Sequence, residues 1–321
     1  MHAVQVTRHG GPDVLGYGTI DDPIPGPGEL LVRTGAVGVN FIDTYLRRGL
    51  YPSQPPYVPG TEGAGEVISV GAEVTAFAPG DRVCWCDTNG SYAELVAVSA
   101  DRAVAIPDGV PDEVAGSSLL RGLTAHYLLD GSAHPVAGDT VLMHAGAGGV
   151  GLILTQLAKR KGIRVITTVS TDAKAELSAA AGADHVLRYG DDLVAQVREL
   201  TDGKGVRVTY DGVGATTFDQ SLAATRLRGT VVLFGAASGP VPPFDLQRLN
   251  TEGSLSVTRP TLAHFIADPD ELAWRASEYL GAVADGLDVR VGQRYRLADA
   301  GQAHADLESR ATTGSTVLVP N

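Results

Sequence analysis

Cysteine, methionine and tryptophan are scarce in this sequence, two of each in 321 residues, and aromatic side chains make up only 6% of it. The two cysteines, Cys84 and Cys86, lie two apart in a strand-like run that puts both on one face, where a bridge between them would be strained. They are read as reduced, structural thiols. Long apolar runs are missing as well: no stretch of about eighteen uncharged apolar residues occurs, so no membrane-spanning helix is expected. Met1 to Gly10 lacks the apolar run of a signal peptide, and the expectation is a cytoplasmic protein with no membrane partner. Positive charge is also short, with 25 basic against 37 acidic residues and a formal charge of −12. Such a field repels nucleic acid and anionic membranes, so no nucleic-acid partner is expected and any anionic ligand must meet a local basic patch.

What is present can bury a large core. The chain is 44% hydrophobic and exceeds the roughly 100–200 residues of one domain, so two domains are expected. To about Leu120 the sequence consists of short strand-like runs broken by Gly and Pro (Glu29 to Val39, Gly65 to Val70, Asp81 to Cys86, Ser91 to Val98), the pattern of an irregular all-β unit. From Asp139 apolar strands alternate with amphipathic helices. The strands are Thr140 to His144, Arg164 to Val169, Asp184 to Leu187, Val206 to Tyr210, Thr230 to Phe234 and Ser254 to Thr258; the helices are Gly148 to Lys161, Asp172 to Ala181, Asp191 to Leu200 and Ala215 to Leu227. This alternation predicts βαβ units and a six-stranded parallel sheet of Rossmann type. Beyond Pro260 a helix (Glu271 to Val283), a strand (Val289 to Tyr295), a helix (Ala300 to Arg310) and a strand (Ser315 to Val319) have no parallel partner in sequence, so the tail is expected to return to the first domain.

The main chemical motif is Val141-Leu142-Met143-His144-Ala145-Gly146-Ala147-Gly148-Gly149-Val150-Gly151, an apolar strand running into a glycine turn. Gly146, Gly148 and Gly151 have the Gly-x-Gly-x-x-Gly spacing. That spacing serves a tight turn, close approach of backbone to a pyrophosphate, and close packing of helix on strand, with the phosphates at the helix N-terminus. Val150, Ile153, Leu154, Leu157 and Ala158 then recur at helical spacing, and Lys159, Arg160, Lys161 and Gly162 supply a basic last turn and a stop. An NAD enzyme places an acid at the end of the second strand, against the ribose hydroxyls. Here that strand ends Val169-Ser170-Thr171, and Asp172 is read as a helix cap. Lys174 follows, able to reach a 2′-phosphate, so the predicted cofactor is NADPH.

Several separated segments together resemble one family: Val39-Asn40-Phe41-Ile42-Asp43-Thr44-Tyr45, Gly49-Leu50-Tyr51-Pro52, Gly60-Thr61-Glu62-Gly63-Ala64-Gly65, Gly122-Leu123-Thr124, the Ala145 to Gly151 turn, Tyr210-Asp211-Gly212-Val213-Gly214 and Leu307 to Thr312. The chain is similar, essentially end to end, to the zinc-independent quinone oxidoreductases, the zeta-crystallin-like branch of the medium-chain dehydrogenase/reductase superfamily. The resemblance implies a GroES-like, mainly-β catalytic domain (1–121, completed by 261–321), a Rossmann NADP-binding domain (122–260) and an active site in the cleft. Where zinc alcohol dehydrogenases of the superfamily carry Gly-His-Glu, this chain has Gly60-Thr61-Glu62, and where they carry an early cysteine it has Val39-Asn40-Phe41. A catalytic zinc needs three protein ligands, and those are missing; two cysteines also cannot form the four-cysteine structural site. His2, His9, His126, His134, His144, His185, His264 and His304 are scattered without ligand-like spacing, so no metal is expected.

Without a metal to polarise a carbonyl, the substrate must accept hydride readily, which points to a quinone or enone. The resemblance brings Asn40, Asp43, Tyr45 and Tyr51 to the catalytic side, with Asn40 and Thr124 near the nicotinamide. The turn from Gly146 through Ala147, Gly148, Gly149 and Val150 takes the pyrophosphate, and Ser170 sits at the second strand's end. By resemblance Lys174, Tyr189 and Arg310 surround the 2′-phosphate, and Phe234-Gly235, at the carboxyl edge of the sheet, approach the nicotinamide. An alkenal or enoyl-thioester reductase on the same scaffold, and a non-catalytic, crystallin-like dinucleotide-binding protein, remain open alternatives. A homodimer is expected through the edge strand Ser254 to Thr258, whose unpaired backbone could pair with a twofold-related copy.

Overall fold

The computed structural model describes residues 1–320, and the chain falls into two units: Met1–Leu120 together with the chain from Ala267 onward, and Arg121–Ile266. The first unit opens with β1 (His2–Val6) and β2 (Leu15–Thr19), an antiparallel pair. It continues through β3 (Glu29–Gly38), helix α1 (Phe41–Arg47), β4 (Glu62–Val70), β5 (Arg82–Cys86), β6 (Leu95–Ser99), β7 (Ala103–Ala105) and helix α2 (Asp112–Tyr127), whose residues from Arg121 on count with the second unit. Leu30, Val32, Thr34 and Ala36 alternate inward along β3, the period-2 pattern of a strand with one buried face. Val32, Val67, Val83, Trp85 and Val96 form the core beneath it. Cys84 and Cys86 are both buried as free thiols, and burial pushes both pKa values up, away from reactive thiolate.

An irregular all-β unit to about Leu120 is not what forms: α1 and α2 interrupt the strands. Pro111, Asp112 and Glu113 mark the start of α2 as Pro and acids do at a helix N-terminus, with Ala115 N donating to Pro111 O at 3.0 Å. What disguises the helix is Gly116-Ser117-Ser118, a turn-like triplet in its interior. Its reason is packing: a Cβ on Gly116 would stand 2.7 Å from Ala64 N and 2.8 Å from Ala36 O, so the helix can lie directly on β3 and β4 only without one. Ser117 and Ser118 each return their hydroxyl to the carbonyl four residues back, at 2.6 Å, and so stay satisfied in the buried helix.

The second unit is a parallel sheet in the order β10-β9-β8-β11-β12-β13, the doubly wound arrangement expected from the alternation. Its strands are β8 (Thr140–Met143), β9 (Arg164–Val169), β10 (His185–Arg188), β11 (Val206–Asp211), β12 (Thr225–Leu233) and β13 (Ser256–Thr258). The helices between them are α3 (Gly149–Arg160), α4 (Asp172–Ala180), α5 (Leu193–Glu199), α6 (Phe218–Ala224) and the short α7 (Gln247–Thr251), and a further short one, α8 (Leu262–Phe265), follows β13. The helix predicted to run to Leu227 stops at Ala224, because Thr225 turns its hydroxyl to Ser221 O at 2.7 Å and to Thr209 Oγ1 at 2.8 Å and starts β12. The predicted edge strand begins two residues late: Ser254 has φ of 53° and Leu255 is buried, leaving Ser256–Thr258 on the edge. The tail supplies α9 (Pro269–Ala284), β14 (Val291–Arg296), α10 (Ala300–Glu308) and β15 (Ser315–Val319), and β15 pairs antiparallel with β3.

The seat of α2 gives a test. Gly116→Val forces the helix off β3 and β4 and is expected to destabilise the protein by about 1–3 kcal/mol, as overpacking of a well-packed core does. Urea unfolding checks it; an unchanged midpoint would show that the close approach is dispensable.

Candidate active site

The glycine turn follows β8 directly. A Cβ on Gly146 would lie 2.5 Å from Thr167 Cβ and 2.7 Å from Ser178 Oγ, and one on Gly151 would lie 2.5 Å from Ala145 O. Both clashes are with fixed atoms, so the turn exists only with glycine at these places. Gly148 is the N-cap of α3, and the first intrahelical bond is Leu152 N to Gly148 O at 3.0 Å. The amides of Gly149, Val150 and Gly151 precede that bond, and no acid occupies the first turn. Amides of this kind at a helix N-terminus suit a pyrophosphate, so the cradle fits the dinucleotide that the sequence predicts.

Beneath the turn sits His144, fully buried, a residue the sequence singled out only as part of the motif. Ser221 Oγ donates to Asp211 Oδ2 at 2.7 Å and therefore accepts from His144 Nε2 at 3.1 Å. Nδ1 is then the acceptor for Thr168 Oγ1 at 2.8 Å. Burial lowers the His144 pKa, against the opposing pull of Asp211. Asp211 is itself held by the amides of Val213 and Gly214 at 2.8 and 3.0 Å and by the Thr217 hydroxyl. Over this neutral imidazole lies Tyr189, stacked at 5.9 Å and 14°, whose hydroxyl accepts from Ala145 N at 2.8 Å. The turn is thus bracketed by a histidine below and a half-exposed tyrosine above.

The other second-unit candidates line the carboxyl ends of the strands. Ser170 is exposed just past β9, and Lys174 is the third residue of α4. The expected cap is corrected: Thr171, not Asp172, is the N-cap, accepting from Lys174 N at 3.3 Å. Asp172 stands one residue further on, exposed, where it ion-pairs with Arg188 instead. The sequence reading passed over Arg188, a second cation at this edge whose Nη1 is buried without a hydrogen-bond partner. Phe234 N donates to Asp211 O at 2.9 Å, and the Phe234 ring covers Gly212, where a Cβ would meet it at 2.7 Å. Gly235 approaches the same glycine, its absent Cβ 2.5 Å from Gly212 O. Thr124 is buried in α2.

In the first unit Asn40 is the N-cap of α1, and its backbone amide donates to Asp43 Oδ2 at 2.8 Å. Its side-chain Nδ2 donates to Glu62 Oε2 at 2.7 Å, and the other Glu62 oxygen takes Leu120 N at 2.6 Å. Asp43 also accepts from the Tyr92 hydroxyl at 3.2 Å and from Thr61 Oγ1 at 3.4 Å. Both buried carboxylates are therefore engaged by internal donors, and nitrogen and sulfur donors are missing where zinc relatives would have them. This donor set does not fit a catalytic zinc. Tyr45 and Tyr51 meet edge-on at 5.5 Å and 65°, Tyr51 being 38% exposed. Arg310 is exposed past the end of α10, with φ of 60° and Ala311 N closing the turn on Asp306 O at 3.1 Å. His304, on α10, is buried and neutral, its pKa held down to about 3 by burial and by Arg47.

Two buried histidines, His144 and His304, couple folding to pH. The unfolded chain takes up protons on them below about pH 6.5, whereas the native state takes them up only at lower pH, about 3 for His304, so stability falls as pH drops below about 6.5. Urea midpoints at pH 7, 6 and 5 are expected to decline, with a shallower decline in His304→Gln. Parallel slopes in the two proteins would contradict it.

Comparisons with known proteins agree with this architecture. A family model of the alcohol dehydrogenase GroES-like domain matches residues 26–108, and one described as zinc-binding dehydrogenase matches residues 149–273. A mycobacterial protein solved in complex with NADPH is 56% identical, with a TM-score of 0.97 over 100% of both chains. A quinone oxidoreductase of Pseudomonas aeruginosa is 46% identical over 99% of both chains, and a 2-haloacrylate reductase of a Burkholderia species is 39% identical over 99% of this chain and 98% of its own. The fold order, the glycine turn and these full-length identities have one meaning: the chain belongs to the quinone oxidoreductase family of the medium-chain dehydrogenase/reductase superfamily.

Proposed function

We propose that this protein is a metal-free, NADPH-dependent reductase of quinones, homodimeric and cytoplasmic. The observation that carries the reading is the glycine turn, closed to any Cβ at Gly146 and Gly151, together with a β9 end that passes through Ser170 to the Thr171 cap without an acid and an α4 first turn that carries Lys174. When bound, NADPH supplies a hydride, and with one proton the quinone becomes a hydroquinone. Gly146, Ala147, Gly148, Gly149 and Val150 hold the pyrophosphate on main-chain amides. Lys174 and Tyr189 take the 2′-phosphate, which no NADH offers them. Ser170, Thr124, Phe234 and Gly235 border the rest of the dinucleotide. Asn40 and Asp43 fix the start of α1, and Tyr45 and Tyr51 present an aromatic edge and face against which a flat acceptor can stack.

The absence of zinc-type donors around Asn40 and Thr61 supports metal-free turnover, in which conjugation of the acceptor does the work of a Lewis acid. Among the described residues no helix is long and apolar enough to cross a membrane. The edge strand β13 supports the homodimer, since its outer backbone groups can pair with a second copy. The relative that reduces 2-haloacrylate favours a second reading, hydride delivery to an electron-poor carbon-carbon double bond.

One assay tests these statements together. Chelator-treated protein is expected to oxidise NADPH with quinones faster than with 2-haloacrylate, to prefer NADPH over NADH, and to sediment with a two-chain mass. Lys174→Ala is expected to lose roughly 10- to 100-fold in NADPH affinity, the worth of a charge-assisted hydrogen bond, with NADH unaffected. Activity that returns only with zinc, or equal affinity for the two cofactors, would overturn the reading.

A further inference from the structure

A buried chain of polar groups runs through the first unit and ends at Asp43, beside Asn40 at the start of α1. Arg47, on α1, is completely buried. Its Nη2 reaches both oxygens of Glu308 at 2.8 and 2.9 Å, its Nε donates to Gly10 O at 3.1 Å, and its Nη1 lies 3.0 Å from His304 Nδ1. His304 Nε2 lies 2.9 Å from the Tyr92 hydroxyl, and that hydroxyl lies 3.2 Å from Asp43 Oδ2. The chain therefore links α10 to the N-terminal turn of α1, 261 residues apart in sequence at its Arg47–Glu308 pair.

The direction of every bond follows from one end. A guanidinium can only donate, so His304 Nδ1 must be the acceptor and carries no proton. The imidazole is then neutral with its proton on Nε2, which donates to the Tyr92 oxygen. Tyr92 has a single proton left to give, and it goes to Asp43. Asp43 Oδ2 is thereby fixed as an acceptor, which is also what the Asn40 amide needs from it at 2.8 Å. Because arginine does not release its proton, the chain cannot carry protons to a substrate. It is an orienting device.

We infer that His304 and Tyr92 are positioning residues of the reductase, which hold Asp43 as a one-way acceptor and so fix the start of α1, where Asn40 stands and from which Tyr45 projects. The inference rests on the proposed reductase reading for its kinetic consequence, but the bond directions do not depend on it. The charged and titratable groups around Asp43 are Arg47 on its own helix, Tyr57 and Tyr92 from the loops, Glu62 on β4 through Asn40, and His304 and Glu308 on α10. Of these only Tyr92 offers Asp43 a proton whose direction is set from elsewhere. Removing that proton deprives Asp43 Oδ2 of a donor whose direction is set from elsewhere, while the bonds from the Asn40 amide and Thr61 stay, so the α1 cap loosens without change at the glycine turn.

Two experiments test this. In protein labelled with ¹⁵N-histidine, His304 is expected to show an unprotonated Nδ1 and a protonated Nε2, and not to titrate between pH 5 and 8. A protonated Nδ1, or titration in that range, would overturn the inference whether or not the protein is a reductase. In steady-state assays Tyr92→Phe and His304→Leu are expected to lower kcat with a quinone roughly tenfold, the scale of a small misplacement of reacting groups, while the NADPH dissociation constant stays within about twofold. His304→Gln, which keeps an acceptor toward Arg47 and a donor toward Tyr92, is expected to recover most of kcat. Equal loss in His304→Leu and His304→Gln, or an unchanged kcat in Tyr92→Phe, would overturn the positioning role. Wild-type protein without quinone turnover would instead refute the reductase reading and leave the histidine spectrum to decide the bond directions.

Discussion

Everything proposed for the second unit depends on the room left by two missing Cβ atoms. At Gly146 the space is filled by Thr167 and Ser178, and at Gly151 by the carbonyl of Ala145. With these contacts α3 comes down on the end of β8 and points its first amides into the space beyond the strand. A larger residue at either place moves the helix, the turn and the amides together. The buried His144 and Asp211 network below, and Tyr189 above, then hold the turn, with the Asp211 carboxylate taken up by the amides of Val213 and Gly214 and the hydroxyls of Thr217 and Ser221. The protein as a whole carries a net charge of −12, so this local arrangement must overcome a repelling field for an anionic dinucleotide.

The first unit solves a different problem. It matches the model of an alcohol dehydrogenase GroES-like domain, yet here Asn40 and Thr61 stand among oxygen donors only, and the two nearby carboxylates are consumed by amide and hydroxyl donors. A buried carboxylate without such partners would be costly, and one with them is a rigid structural element. The same residues that leave no place for a metal therefore provide a stiff floor for α1. The long link from Arg47 to Glu308 and His304 extends that stiffness to the returning tail.

The parts of this architecture that repeat locally are the parts visible in the sequence. Strand and helix periods in the second unit reveal the parallel sheet, and glycine spacing reveals the turn, because each is a short-range pattern with one physical meaning. Helix α2 is hidden because Gly116, Ser117 and Ser118 are there for packing on β3 and β4, which only the folded chain displays. The end of α6 is obscured in the same way, since Leu227 continues a helical period while the Thr225 hydroxyl has already turned the chain into β12. The cap of α4 is visible in the sequence only as a choice, since Thr171 and Asp172 are both good capping residues, and it is Thr171 whose extended backbone and hydroxyl take the role by accepting from Lys174 N. The relay through Tyr92 and His304 leaves no sequence trace, because its members are up to 261 residues apart at the Arg47–Glu308 pair and carry no common spacing.

The central claim is that the Cβ-free turn is the seat of the dinucleotide. Calorimetric titration of NADPH into wild-type protein and into Gly151→Ala, with circular dichroism to establish that both are folded, tests it most directly. Saturable one-to-one binding in the wild type and loss of binding in the folded variant is the result this account predicts. Undiminished binding by Gly151→Ala would place the dinucleotide elsewhere and contradict it.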